Sequence, residues 1–253
     1  MIPFIRRSLK RALLSAAPAL APVWIMRLQV LSLRRQSSPA RLKEAVHLAC
    51  THHVFNAMQK ESEILRVLER VRLEKPKVFC EIGGLSGGTL FLFCTALPAG
   101  ARALSVDLKY TPSQLAAQPL FARSGQQVSC MQANSHAPET LQRIREWLGG
   151  QKLDFLFIDG DHTYGGVLND FRMYAPLVRE GGSIAFHDIM QDFKTRYGKE
   201  TWAWTGEVPV FWSRLKQAYP DQTTEIVEDS GQDGLGIGLL RWEGRLKDIP
   251  TAP

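Results

Sequence analysis

Between Lys77 and Thr89 the chain reads KVFCEIGGLSGGT. An apolar run, Val78 to Ile82, carries one acid, Glu81, and stops at Gly83 and Gly84. Leu85 and Ser86 follow, then Gly87 and Gly88, and the next stretch, LFLFCTAL, is apolar again. This is the pattern of a buried parallel strand, a tight turn and a helix that opens beneath a ligand. Glycine permits positive φ and close approach of the main chain. A strand that is apolar without alternation must be covered on both faces, which restricts the fold to a layered α/β arrangement.

The rest of the sequence agrees. Strands are expected over 77–82, 102–107, 126–132, 153–159 and 182–187, and helices over 87–97, 113–123, 137–148 and 164–178. Such alternation builds βαβ units and a parallel sheet. A helical region is expected from 41 to 72, closed by Glu74-Lys75-Pro76. Beyond a helical stretch from Val208 to Tyr219, TTEIVED and GIGLLRW are separated only by SGQDGL. A loop that short joins antiparallel neighbours. The expectation is a Rossmann-like α/β fold, which by its closing antiparallel strand resembles the class I methyltransferase fold. It has a mostly parallel seven-stranded sheet, an antiparallel last strand and an N-terminal helical extension.

The net charge of +6 is unevenly placed. Arg6, Arg7, Lys10, Arg11, Arg27, Arg34, Arg35, Arg41 and Lys43 all precede the first acid, Glu44, and the remainder is slightly acidic. Arg6-Arg7 ahead of ALLSAAPALA has the outline of a targeting signal, but Pro18, Pro22 and Arg27 interrupt it, and the run is too short to span a bilayer. A basic arm that touches an anionic membrane surface or packs on a second copy is the expectation. Nucleic acid is a poor fit, because the arm lacks interleaved stacking aromatics. Cys50, Cys80, Cys94 and Cys130 show no C-x-x-C pairing and read as reduced thiols of a cytoplasmic protein.

Ligands of open parallel sheets sit at the carboxyl ends of the strands. An acid and a G-x-x-x-G turn after the first strand suit a zwitterionic ligand such as S-adenosylmethionine better than a pyrophosphate. That assigns Glu81, Gly83, Gly84, Ser86, Gly87, Gly88 and Thr89 to it. The second strand ends in Asp107, placed to accept ribose hydroxyls or to act as a loop or cap carboxylate. The third ends in Asn134-Ser135-His136, where Asn134 or Ser135 suits the adenine edge, or caps the helix that begins near Pro138. The fourth ends in IDGDHTY and the fifth in AFHDI. Carboxylates and imidazoles packed this densely at strand ends cost desolvation unless they bind something. Asp159, His187 and Asp188 can converge on one metal ion, with Asp159 also bordering the cofactor. His162 stands beside them as a general base, its ordinary pKa lying near neutrality.

The stretch FLFIDGDHTYGGVLNDFRMYAPLVREGGSIAFHDI resembles the cephalosporin-hydroxylase-like and macrolide sugar O-methyltransferase group of class I S-adenosylmethionine enzymes. The resemblance runs from about Glu61 to Trp242. It includes the EIG turn, the D-G-D-H-x-Y stretch, the P-L-V-x-x-G-G-x-I segment and the terminal D-G-x-G-I-G strand. It implies a divalent metal, usually magnesium, with ligands on Asp159, Asp188 and the residue before Asp188, and a histidine at His162 as base. Some relatives carry glutamate where His187 stands, and imidazole suits softer metals than magnesium. The domain boundaries that follow are a basic helical arm over 1–60, a methyltransferase domain over 61–245 and a tail over 246–253.

The implied activity is O-methylation of a sugar or natural-product hydroxyl, with the metal binding a vicinal diol and His162 taking the proton. Two other readings stand beside it. His162, His187 and Asp188 have the composition of an iron oxygenase triad, although that leaves the glycine turn and Asp107 unexplained. A non-catalytic, cofactor-binding accessory protein is the other. Residues 189–207 are expected to form a loop over the site. In it Trp202 and Trp204 suit stacking on a sugar face or packing on a neighbouring subunit.

Overall fold

The computed structural model describes residues 27–28, 30–32, 34, 41–52, 55–123 and 125–250. Most of the basic arm lies outside the described residues. Helices α1 (Leu42–Thr51) and α2 (Glu61–Glu74) precede a regular alternation of strands and helices. Strand β1 (Val78–Ile82) leads to α3 (Gly88–Ala96), β2 (Arg102–Asp107) to α4 (Pro112–Ala117), and β3 (Gln127–Gln132) to α5 (Pro138–Leu148). Strand β4 (Leu153–Ile158), α6 (Tyr164–Tyr174) and β5 (Val178–His187) follow. Helices α7 (Phe193–Tyr197) and α8 (Val208–Ala218) precede β6 (Thr223–Ile226) and β7 (Ile237–Arg241).

The seven strands run in the order β3-β2-β1-β4-β5-β7-β6. Strands β1 to β5 pair in parallel, and β7 lies antiparallel between β5 and β6. This is the expected sheet. Every residue of β1 is buried, as its unbroken apolar pattern requires. Every residue of α3 is buried as well. A helix apolar all round needs cover on its outer side, and α1 supplies it with Leu42, Ala45, Val46 and Ala49, which join Phe91 and Phe93 in one core. On the inner side Phe93 stacks on Phe79 of β1 with ring centres 4.1 Å apart.

Three boundaries differ from the sequence expectation. The helical region over 41–72 is two helices, and residues 55–60 between them leave the helical path. Ala57 N donates to Ala49 O at 3.0 Å, which turns this segment back over the glycine turn. The helix expected over 113–123 tightens into a 3-10 turn over Gln118–Phe121, because Pro119 cannot donate to the helical ladder. The helix expected to reach 178 ends at Tyr174 with a 3-10 turn holding Pro176. Strand β5 begins at Val178, four residues early, with a register shift opposite Leu153 and Phe155. No helix among the described residues is long and apolar enough to cross a membrane.

Candidate active site

The carboxyl ends of all five parallel strands open into one cavity of about 670 Å³. At the end of β1, Gly83 has φ of +93°, and a Cβ there would lie 1.9 Å from the Asp159 carbonyl oxygen. Only glycine lets the two strand ends come this close. Gly83 N donates to Val106 O and Asp159 N to Ile82 O, each at 2.8 Å, so the ladder runs to the cavity edge.

The structure divides the sequence-predicted cofactor residues into two groups. Gly83, Asp107, Asn134, Ser135 and Asp159 line the cavity, together with Leu85, Leu108 and His136. Asp107 accepts from Leu85 N at 2.7 Å and from Lys109 N at 2.9 Å, which pins its carboxylate at the rim. Asn134 Oδ1 accepts from His136 N at 3.0 Å, a local turn. Glu81, Gly84, Ser86, Gly87, Gly88 and Thr89 are not among the lining residues. Glu81 is fully buried under Gly84, where it accepts from Ser105 Oγ, and the same hydroxyl meets Tyr110 Oη at 2.6 Å. Burial pushes its carboxyl pKa up to about 8, against the lowering effect of the Ser105 hydrogen bond. Ser86 Oγ donates to Asn56 O at 2.8 Å, Gly87 faces Gln118, and Gly88 faces the Asn56–Ala57 backbone.

Asp159, His162, His187 and Asp188 meet in the same cavity, beside Gly83, as their positions at two neighbouring strand ends predict. His187 Nδ1 lies 3.2 Å from Asp159 Oδ1 and 3.5 Å from Asp188 Oδ2. His162 Nε2 lies 3.4 Å from Asp159 Oδ1, and its Nδ1 lies 3.5 Å from Asp188 Oδ2. Asp188 adopts φ of +60°, a conformation uncommon for a residue with a side chain and concentrated at functional sites. His162 Nδ1 also lies 2.9 Å from the Trp204 carbonyl oxygen. A carbonyl only accepts, so Nδ1 carries the proton of that bond and Nε2 is the nitrogen able to take another. The Trp204 ring stacks on the imidazole at 4.9 Å and 17°.

The charges here are strongly coupled. Burial works against ionising Asp159, but His187 and His162 outweigh it and hold the carboxyl below its ordinary range. Burial alone would depress both imidazoles. Asp159 and Asp188 reverse this, raising His162 and carrying His187 to about 9. Asp188 itself is raised, chiefly by burial.

A divalent cation fits these residues. Asp159, His162 and Asp188 each offer a ligand atom within 4.8 Å of the others. Asp188 Oδ1 is buried without a hydrogen-bond partner, as is His187 Nε2. The two carboxylates supply oxygen donors that suit magnesium or manganese. Among the described residues the imidazole that joins both in this group is His162, whereas the third ligand expected from the sequence is His187.

Sequence reasoning missed Gln59 and Met58. Met58 lines the cavity, and Gln59 Nε2 donates to Asp159 Oδ2 at 3.4 Å. Neither lies near a strand end in sequence, and no local pattern marks them. Trp202 and Trp204, expected in a loop over the site, do line the cavity and remain 69% and 70% exposed.

Residues 80–189 match the family model described as a methyltransferase domain. Among solved structures, the O-methyltransferase from Bacillus cereus in complex with SAH is similar, at 18% identity over 92% of this chain and 97% of that one, with a TM-score of 0.53. The O-methyltransferase TomG from Streptomyces achromogenes, involved in tomaymycin synthesis and solved with SAM, matches at 14% identity over 79% of this chain and 89% of that one, also with a TM-score of 0.53. These likenesses establish the class I methyltransferase fold. A stretch of 42 residues is 52% identical to an uncharacterized protein of Acanthamoeba polyphaga mimivirus, covering 17% of this chain and only 19% of that protein.

Proposed function

We propose that the methyltransferase domain uses S-adenosylmethionine to methylate a hydroxyl oxygen of a small acceptor, a sugar or a polyol-like natural product. The observation that carries this reading is one shared cavity, lined both by Gly83, Asp107, Asn134 and Ser135 and by the Asp159, His162 and Asp188 cluster. Bound S-adenosylmethionine supplies an activated methyl group on a sulfonium. Gly83 and Gly84 shape the turn against it, Asp107 accepts from its ribose, and Asn134 and Ser135 border its adenine. Glu81, Ser86, Gly87, Gly88 and Thr89 hold that turn from behind.

A divalent cation, when bound on Asp159 and Asp188, supplies charge that lowers the pKa of an acceptor hydroxyl. His162 Nε2 takes the hydroxyl proton, held in the accepting tautomer by the Trp204 carbonyl. The oxygen forms the new bond to the methyl carbon as the carbon–sulfur bond breaks. A methyl ether, S-adenosylhomocysteine and one proton on the imidazole result. Because the donor is already activated, the protein contributes mainly orientation and charge stabilisation. The exposed faces of Trp202 and Trp204 favour a ring-shaped acceptor. Contact of the basic arm with a membrane surface, or with a second copy, belongs to the same proposal.

Incubating the protein with labelled S-adenosylmethionine and a cell extract should produce a labelled small molecule heavier by one methylene. His162→Ala should slow that turnover about a hundredfold or more, the usual scale for a lost general base. Full activity in His162→Ala, or no binding of S-adenosylhomocysteine in a calorimeter, would overturn the assignment.

A further inference from the structure

Gln59 reaches the cation cluster from outside the matched domain. Its Nε2 donates to Asp159 Oδ2 at 3.4 Å, while Asp159 Oδ1 is met by His187 Nδ1 at 3.2 Å and by His162 Nε2 at 3.4 Å. One carboxylate is thus held on both oxygens, by side chains from three separate segments. Rotating it would disturb contacts at both ends.

The segment that delivers Gln59 is itself fastened. Asn56 O accepts from Ser86 Oγ at 2.8 Å, and Gly88 lets the Ala57 backbone approach so closely that a Cβ would lie 2.2 Å from Ala57 N. On the other side Lys60 Nζ pairs with Glu228 at 2.7 Å and donates to Gln232 Oε1 at 3.1 Å. The Gln59 Oε1 atom is buried without a partner. An amide present only for stability would be satisfied at both atoms, because an unmet buried acceptor is costly.

We infer that Gln59 is a positioning residue that sets the rotation of the Asp159 carboxylate and so presents it to the divalent cation. The role rests on the cation reading given above. Second-layer hydrogen bonds to ligating carboxylates fix their orientation, and losing one weakens metal binding 10- to 100-fold as a rough scale.

The test is a Mn²⁺ titration of the full chain followed by electron paramagnetic resonance. It compares the unaltered protein with Gln59→Met, which keeps the length of the side chain and removes the donor. The Mn²⁺ dissociation constant should rise about tenfold or more, while S-adenosylhomocysteine affinity, measured by calorimetry, stays within about twofold. Gln59→Ala gives the same comparison if the methionine variant folds poorly. Equal Mn²⁺ affinity in variant and parent overturns the role of Gln59 and leaves the cation reading standing. Absence of Mn²⁺ binding in the parent overturns both. Parallel loss of Mn²⁺ and S-adenosylhomocysteine binding marks a merely structural residue and overturns the positioning role.

Discussion

Glu81 shows how one residue can be conspicuous in sequence and act from behind the site. It is fully buried, accepts from Ser105 Oγ and leaves Oε2 without a partner. With burial pushing its pKa up to about 8, it is a neutral acid at pH 7 in the cofactor-free fold. The unfolded chain ionises it near 4.5, so between about pH 4.5 and 8 the folded state binds the extra proton. Stability contributed by this group therefore falls as pH rises through that window. Glu81→Gln keeps the shape and removes the titration. Thermal melts of the cofactor-free protein should show the variant gaining on the parent from pH 5 to pH 8, with no further gain above about pH 9. A constant difference across that range would contradict the assignment. Asp170 is a second buried acid, raised to about 6 chiefly by burial, with His136 Nε2 3.3 Å away. Its sequence context, inside α6, gives no sign of it.

Among the elements, α3 depends most on its neighbours. Its first residue, Gly88, faces backbone: a Cβ there would lie 2.4 Å from Asn56 C and 2.6 Å from Ala57 Cα. Intrinsic propensity favours alanine over glycine in a helix by about 1 kcal/mol. Overpacking against backbone that cannot yield costs about 1–3 kcal/mol, so packing decides the sign. Gly88→Ala should destabilise the protein by about 1–2 kcal/mol in urea unfolding, and stabilisation instead would show that residues 56–57 yield freely. The sequence marks Gly88 as special but assigns the close approach to a ligand. The structure gives it to Asn56 and Ala57, a segment upstream of α2. Periodicity marks the region of α1 and α2 as helical, whereas the break over 55–60 escapes it. That break is set by where Phe55 and Ala57 are buried, not by a proline or glycine.

At the scale of the whole molecule, Glu63 ties the N-terminal helices to the final strands. Its carboxylate is buried and accepts from Glu228 N at 3.1 Å and Gly236 N at 2.9 Å, on either side of the loop between β6 and β7. That loop carries Leu235 into the cavity wall. Glu63→Ala strands two backbone donors. It should cost about 2–4 kcal/mol in denaturant unfolding, since each buried group left unpaired costs about 1–3 kcal/mol. A loss under about 0.5 kcal/mol would mean water replaces the carboxylate.

The sequence alone determined the layered α/β class, the antiparallel closing strand, and the meeting of Asp159, His162, His187 and Asp188. Those follow from local rules: unbroken apolar runs, turn glycines and the placement of ligands at parallel strand ends. Only the tertiary structure decided which glycines border the cavity, that Glu81 lies beneath the turn, and that Gln59 reaches Asp159 across 100 residues of chain. The physical reason is that close approach between distant segments depends on how helices dock on the sheet. Docking is a property of packed surfaces, which the order of residues along the chain does not record.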